Sequence, residues 1–209
     1  MPINNRGVTE LVHFTTNHGT LGALYTKYLK SRARLEGDHL VEHLFKPNSA
    51  FRKDVAYLDY ISLSLDNINS HYYGVSSGSW HKNEDVFWTV MAFDPAIIDH
   101  AGVEFATTNN IYTSVSRGIG QAGYDALFAD RITHWGARQV VRGANFAQSM
   151  PTCEQAEVLY PGEISTEYLR RIYTRSDADQ SEVVGFLKGT FHDHVEVVVD
   201  PSRFERRVA

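Results

Sequence analysis

One cysteine, Cys153, stands in the whole 209-residue chain, which excludes an internal disulfide framework and a zinc site built on several thiolates. No apolar run approaches the roughly 18 residues of a membrane span, and the opening MPINNRGVTE lacks the pattern of a signal peptide. A soluble cytoplasmic protein is the expectation. There is no G-x-S-x-G elbow and no G-x-x-x-x-G-K-[ST] phosphate loop. HLVEH spaces His39 and His43 four apart but is not H-E-x-x-H, and His192 and His194 read as surface histidines, so no metal is expected. Acid is also missing over one long stretch. From Arg131 to Cys153 there is no Asp or Glu, while Arg131, Arg138 and Arg142 fall there beside His134, Trp135 and Phe146. In a chain of net charge −5 such a segment is either a solvated loop or a surface that meets a polyanion.

What is present suits one domain over residues 1–209, with 43% hydrophobic residues to fill a core. ELVHFTT reads as a short buried strand, and the run from Thr20 to Leu35 carries apolar residues at helical spacing. YISLSL alternates apolar and hydroxyl residues like a half-buried strand, VFWTVMAFD reads as a central strand, and GVEFATT as another. QAGYDALFAD reads as a short helix. QAEVLYP, YLRRIYT and HVEVVVD read as strands, and a helix from Asp177 to Gly189 separates the last two. Six or seven strands without β-α-β alternation argue against a doubly wound parallel sheet. The expected fold is α+β, a split central sheet flanked by helices.

RGIGQAG spells G-x-G-x-x-G through Gly118, Gly120 and Gly123. A dinucleotide fingerprint follows a hydrophobic strand and has an acid about 20 residues on. Here the preceding NNIYTSVS is polar, and VVRGANF lies where the acid would be. The spelling is accidental, a glycine-rich turn ahead of a short helix.

Glu157 is more informative, because it interrupts an apolar run between Ala156 and Val158. A carboxylate there is costly unless paired or facing a cleft. On a strand it would share a face with Gln155. The alternatives are an edge strand with a polar outer face, or an amide and carboxylate that work together. His13 and Thr15 likewise share one face of the first strand, and Val12 and Phe14 the other. His13 is either a satisfied core histidine or part of a cleft.

LVHFTT, Arg52 ahead of YISLSL, FATTNN and the late QAEVLYP, in this order and spacing, resemble the DarT-type ADP-ribosyltransferases over roughly Val8 to Tyr173. The resemblance implies an ADP-ribosyltransferase-like fold and a toxin that transfers ADP-ribose from NAD onto guanine or thymine of single-stranded DNA. It implies that Glu157 and Arg52 are catalytic and that His13, Phe14, Thr15 and Gly22 bind NAD. Residues 134–152 would present the target base, with Arg138, Arg142, Trp135 and Phe146 on the nucleic acid. A macrodomain antitoxin is the implied partner. Thymidine-modifying members carry a longer HDYVPFYF-like stretch after the arginine, whereas LDYISLSLDNINSHYY here looks closer to the guanine-modifying branch.

Breaking the nicotinamide–ribose bond builds positive charge on the ribose, as glycoside hydrolysis does. The resemblance gives Glu157 the task of stabilising that charge, and Arg52 suits phosphate or substrate positioning. Three other readings share the residues. The first is a transferase acting on RNA, the second a nucleic-acid-binding module without catalysis, and the third a nuclease using His13 and Glu157.

Overall fold

The computed structural model describes residues 2–35, 55–80 and 86–205. Arg52, His39 and His43 lie outside them.

The fold is built around the strand that sequence marked as central. β4 (Trp88–Phe93) is buried along its whole length, as expected for WTVMAF with apolar neighbours on both sheet faces. It pairs antiparallel with β1 (Leu11–Thr16) on one side. On the other side lies β11 (Leu169–Thr174), which carries β12 (Glu196–Val199) parallel at the sheet edge. Beyond β1 come β3 (Tyr60–Leu65), β9 (Glu157–Pro161), β5 (Glu104–Ala106) and β6 (Arg117–Ile119), so eight strands run β12-β11-β4-β1-β3-β9-β5-β6. Among the described pairings of this sheet, only β11 with β12 is parallel.

The sheet is split between β1 and β3. These strands pair at Leu11–Leu65 and Val12–Ser64. One residue further on, a side chain takes over from the backbone ladder: His13 Nδ1 donates to the Ser62 carbonyl at 3.0 Å. The expected split sheet is therefore present, and it opens at His13.

Two small sheets were not foreseen. β2 (Tyr28–Lys30) pairs with β10 (Glu163–Ser165), and β7 (Arg131–Thr133) with β8 (Gln139–Val141). Three-residue strands carry too few alternations to register as a period.

The helices cover the sheet. α1 (Asn17–Thr26) starts where Thr16 Oγ1 accepts from the Gly19 amide. It ends at Lys27, whose φ of 63° breaks the helical run. The helix expected to continue to Leu35 is thus cut short, and β2 and the one-turn α2 (Arg32–Leu35) follow it. α3 (Ser70–Val75) begins at the Asn69 cap, and α4 is Gly120–Ala126. α5 (Asp177–Gly189) has the expected bounds. Ser176 caps it, Asp177 and Asp179 occupy the positive first turn, and Lys188 the negative last one. Its Val183 and Leu187 are buried, each contributing about 1.5–3 kcal/mol by leaving water.

The main core holds Leu11, Leu63, Met91, Phe93, Phe105, Tyr124 and Val158 among others. The other core cluster packs Val12, Tyr73, Trp88, Val90 and Phe204, with Phe14 against it. The alternation of Leu11 and Val12 between these two clusters is the period-two pattern of a strand with both faces covered. Among the described residues no helix is long and apolar enough to cross a membrane.

His192 corrects the expectation of a surface histidine. It is 1% exposed, with Nε2 2.8 Å from Thr166 Oγ1 and Nδ1 2.9 Å from Thr190 Oγ1. Two flanking hydroxyls make a core position tolerable, and a local sequence reading does not see Thr166 arriving from 26 residues away.

Candidate active site

Glu157 is the first residue of β9, paired with Ala106 of β5 and 7% exposed. In the β3–β9 register the step after Leu63–Val158 brings Ser64 level with Glu157. Ser64 itself pairs with Val12, so Glu157 stands in the row that crosses the sheet just before the split. Its Oε2 accepts the backbone N–H of Asn110 at 3.1 Å. A buried carboxylate held by a fixed N–H is an oriented acceptor, the form in which such a group can act on charge developing nearby.

The loop that supplies this N–H follows β5. Thr107, Thr108, Asn109 and Asn110 are all buried. Arg117 holds Asn110 from two sides, Nε donating to Oδ1 at 2.6 Å and the guanidinium NH2 to the main-chain carbonyl at 2.8 Å. The Arg117 guanidinium also lies 4.8 Å over the Tyr57 ring. Asn110 and Arg117 were not singled out from the sequence. TTNN is a polar run that proves to be buried, and that combination is visible only in three dimensions.

Gln155 does not share a strand face with Glu157 as expected, because β9 starts at Glu157 and Gln155 lies in the turn before it. It is buried at the site all the same. Its Oε1 lies 3.3 Å from His134 Nε2, and Tyr112 packs edge-on to the His134 ring at 5.1 Å. Burial pushes the Tyr112 phenol up, while a hydrogen bond from Gln155 pulls it the other way. Cys153 is buried and donates to Thr108 Oγ1 at 3.4 Å. Burial raises its thiol, with Glu154 and Glu157 adding to the effect, so it is no activated nucleophile.

Across the split, the bond from His13 Nδ1 to Ser62 fixes the tautomer of that ring. Phe14 is clustered with Tyr72, Tyr73 and Trp88 at centroid distances of 5.5–5.8 Å. Thr15 ends the half-buried stretch of β1, and Gly22 is buried within α1. A surface cavity of about 320 Å³ lies along α3, lined by Ser70, His71, Gly74, Val75 and Ser79. Ser70 Oγ donates to Glu154 Oε2 at 3.4 Å, which ties α3 to the turn before Glu157. Among the described residues no cluster of His, Cys, Asp and Glu could hold a metal ion.

The acid-free segment divides into two parts with different contacts. β7 and β8 form a hairpin whose turn residues Gly136 and Ala137 have φ of 65° and 63°. Trp135, 66% exposed, and the exposed Arg138 flank that turn. His134 at its base bonds to Gln155, and its carbonyl accepts from Ser114 Oγ at 3.0 Å, so the hairpin is anchored at the Glu157 site. Arg142 behaves otherwise. Its guanidinium donates to the carbonyls of Met150 at 2.6 Å and Ala147 at 2.9 Å, and lies over the rings of Phe128 and Phe146. Phe146 in turn packs against Gly143. Both residues, which the resemblance puts on nucleic acid, clasp their own loop in this structure.

The glycine spelling finds a steric explanation. A Cβ on Gly118 would lie 2.8 Å from Gly123 Cα, and one on Gly123 would lie 2.3 Å from the Gly118 carbonyl carbon. These glycines let α4 fold back onto β6. The stretch before them, residues 109–116, forms turns as expected, and Gly118 itself lies within β6, a three-residue antiparallel strand at the sheet edge.

The fold is that of an ADP-ribosyltransferase. It is similar to the DarT of Thermus sp. 2.9 in complex with NAD+, with a TM-score of 0.67 at 13% identity over 95% of this chain and 98% of that one. The structure of Thermus sp. 2.9 DarT in complex with ADP-ribosylated ssDNA gives 0.64 at 12%, over 95% and 97%. Thermosipho africanus DarTG in complex with ADP-ribose gives 0.63 at 14%, covering 94% of this chain, which spans 51% of that one. The family model described as DarT, ssDNA thymidine ADP-ribosyltransferase, matches residues 48–205, and the chain belongs to this family. No curated protein matches the sequence. The matched span includes Arg52, the hairpin and Glu157 but not β1 or α1. Its description names thymidine, so the expected leaning to guanine has no support in the match.

Proposed function

We propose that this chain transfers ADP-ribose from NAD to thymidine in single-stranded DNA, with Glu157 as the central catalytic residue. The observation that carries the reading is Glu157 itself, a buried carboxylate opening an apolar strand and oriented by a backbone N–H. Placed beside the reacting ribose, it stabilises the positive charge that develops as the bond to nicotinamide breaks. The attacking base nitrogen gives up its proton as the new bond forms, and the same carboxylate is assigned to accept it.

His13, Phe14, Thr15 and Gly22 are assigned to NAD. The reading is supported by the split at His13, where the sheet opens beside the aromatic cluster around Phe14. Arg52 is assigned to positioning NAD or the target, since its fixed donors suit phosphate oxygens and its high pKa opposes a role as base. Trp135 and Arg138 are assigned to the DNA strand, by stacking and phosphate contact. A toxin role in the cytoplasm, reversed by a macrodomain partner, belongs to the same reading and rests on the family resemblance.

The test is intact-mass spectrometry of short oligonucleotides incubated with protein and NAD. Thymidine-containing DNA should gain one ADP-ribose, whereas thymidine-free DNA and RNA should not. Glu157→Gln should slow the reaction by at least about a hundredfold. An adduct on RNA alone, or cleavage without NAD, would replace this reading with one of its alternatives.

A further inference from the structure

The arginine that opens RGIGQAG has a place in the site that the glycines lack. We infer that Arg117 is a positioning residue for Glu157, acting through Asn110. The inference rests on the catalytic reading of Glu157 above.

The chain of contacts is short. Arg117 donates from Nε to Asn110 Oδ1 at 2.6 Å and from NH2 to Asn110 O at 2.8 Å. Asn110 donates its own N–H to Glu157 Oε2 at 3.1 Å. One guanidinium thus grips both the side chain and the carbonyl of the residue whose amide orients the carboxylate. Two parallel donors fix a plane as well as a distance, which a lysine ammonium cannot do.

The arginine is itself held. It belongs to β6, whose residues Arg117, Gly118 and Ile119 face Ala106, Phe105 and Glu104 of β5. Its guanidinium stacks over Tyr57, whose hydroxyl donates to Glu104 Oε2 at 3.2 Å. The same β5 pairs Ala106 with Glu157. The pair that must be aligned and the device that aligns it therefore hang from one strand. The close packing of Gly118 on Gly123 then locks β6 against α4, directly after Arg117. This gives RGIGQAG a positioning task at the active site in place of a cofactor.

Loosening Asn110 should therefore disturb the aim of the Glu157 carboxylate and leave NAD and DNA binding in place. The test is steady-state transfer to a thymidine-containing oligonucleotide by Arg117→Met, Arg117→Lys and Asn110→Ala, each first checked for an intact melting transition. Arg117→Met should lower kcat about tenfold or more, the size of a lost bond to a charged group, with KM for NAD and oligonucleotide little changed. Arg117→Lys should recover part of that loss, and Asn110→Ala should act in the same direction more weakly because the Arg117 bond to the residue-110 carbonyl remains. A raised KM for the oligonucleotide with kcat intact would instead put Arg117 on DNA and overturn the inference. So would an unchanged kcat in Arg117→Met. Glu157→Gln with full activity would remove the catalytic reading itself, an outcome visible without any Arg117 variant.

Discussion

His134 Nε2 lies 3.3 Å from Gln155 Oε1, so the turn end of a hairpin is bonded to a residue two places before Glu157. The hairpin and the carboxylate come from separate sheets, and this contact sets where one stands relative to the other. A group that places a substrate-binding element acts on productive encounter with that substrate, while a group that acts on the reacting bond changes kcat.

His134→Ala and Gln155→Ala should therefore each raise KM for the oligonucleotide about two- to tenfold, the worth of one neutral hydrogen bond, and leave KM for NAD unchanged. The double variant should do no more than either single one, because both remove the same contact. Kinetics with oligonucleotide varied at saturating NAD check this. Additive effects would mean that the two residues act separately.

How far the site was legible depended on how many residues had to meet. Glu157 was readable because a single carboxylate in an apolar strand is anomalous within a window of five residues. α5 was readable to its ends because Ser176, the paired aspartates and Lys188 mark both termini locally. α1 was misjudged because Lys27 takes a left-handed backbone that nothing in KYLK announces. The roles of Arg138 and Arg142 could not be separated in sequence, where both are arginines in an acid-free run. The distinction is made by the carbonyls of Ala147 and Met150, which the loop turns back toward Arg142. Asn110 was invisible as a ligand to Glu157 because the bond comes from its backbone, which every residue has.

That separation of the arginines gives a second expectation. Arg138→Ala should weaken single-strand binding and reduce the salt dependence of affinity by about 0.7 in log–log slope, one phosphate contact's worth. Trp135→Ala should cost about 1–3 kcal/mol of binding, typical of one lost stacking contact. Arg142→Ala should instead lose roughly 1–2 kcal/mol of stability, from the two charge-assisted bonds that hold its loop. Fluorescence-anisotropy titrations at several salt concentrations, beside thermal melts, tell the two classes apart. An unchanged melt for Arg142→Ala with a lowered salt slope would return that residue to the DNA.

His192 makes stability depend on pH in a defined direction. Burial lowers its pKa from the ordinary 6.5, and the positive charge of Lys27 and the neighbouring His194 push the same way. Lys27 stands close because its ammonium donates to the Thr190 carbonyl. The folded state therefore keeps the ring neutral where the unfolded chain already takes up a proton. Stability is fully present above pH 6.5 and is lost as pH falls from there through the depressed folded-state value. His192→Gln removes that titration while keeping a side chain that can bond to a hydroxyl. The melting temperature of the unaltered protein should fall more steeply between pH 7.5 and pH 5.5 than that of His192→Gln, although the variant starts lower at the upper end. Both proteins share every other histidine, so the difference in slope belongs to His192. Parallel slopes would mean that the ring accepts a proton in place, with Thr166 turning its hydroxyl to the Lys27 carbonyl 3.2 Å away.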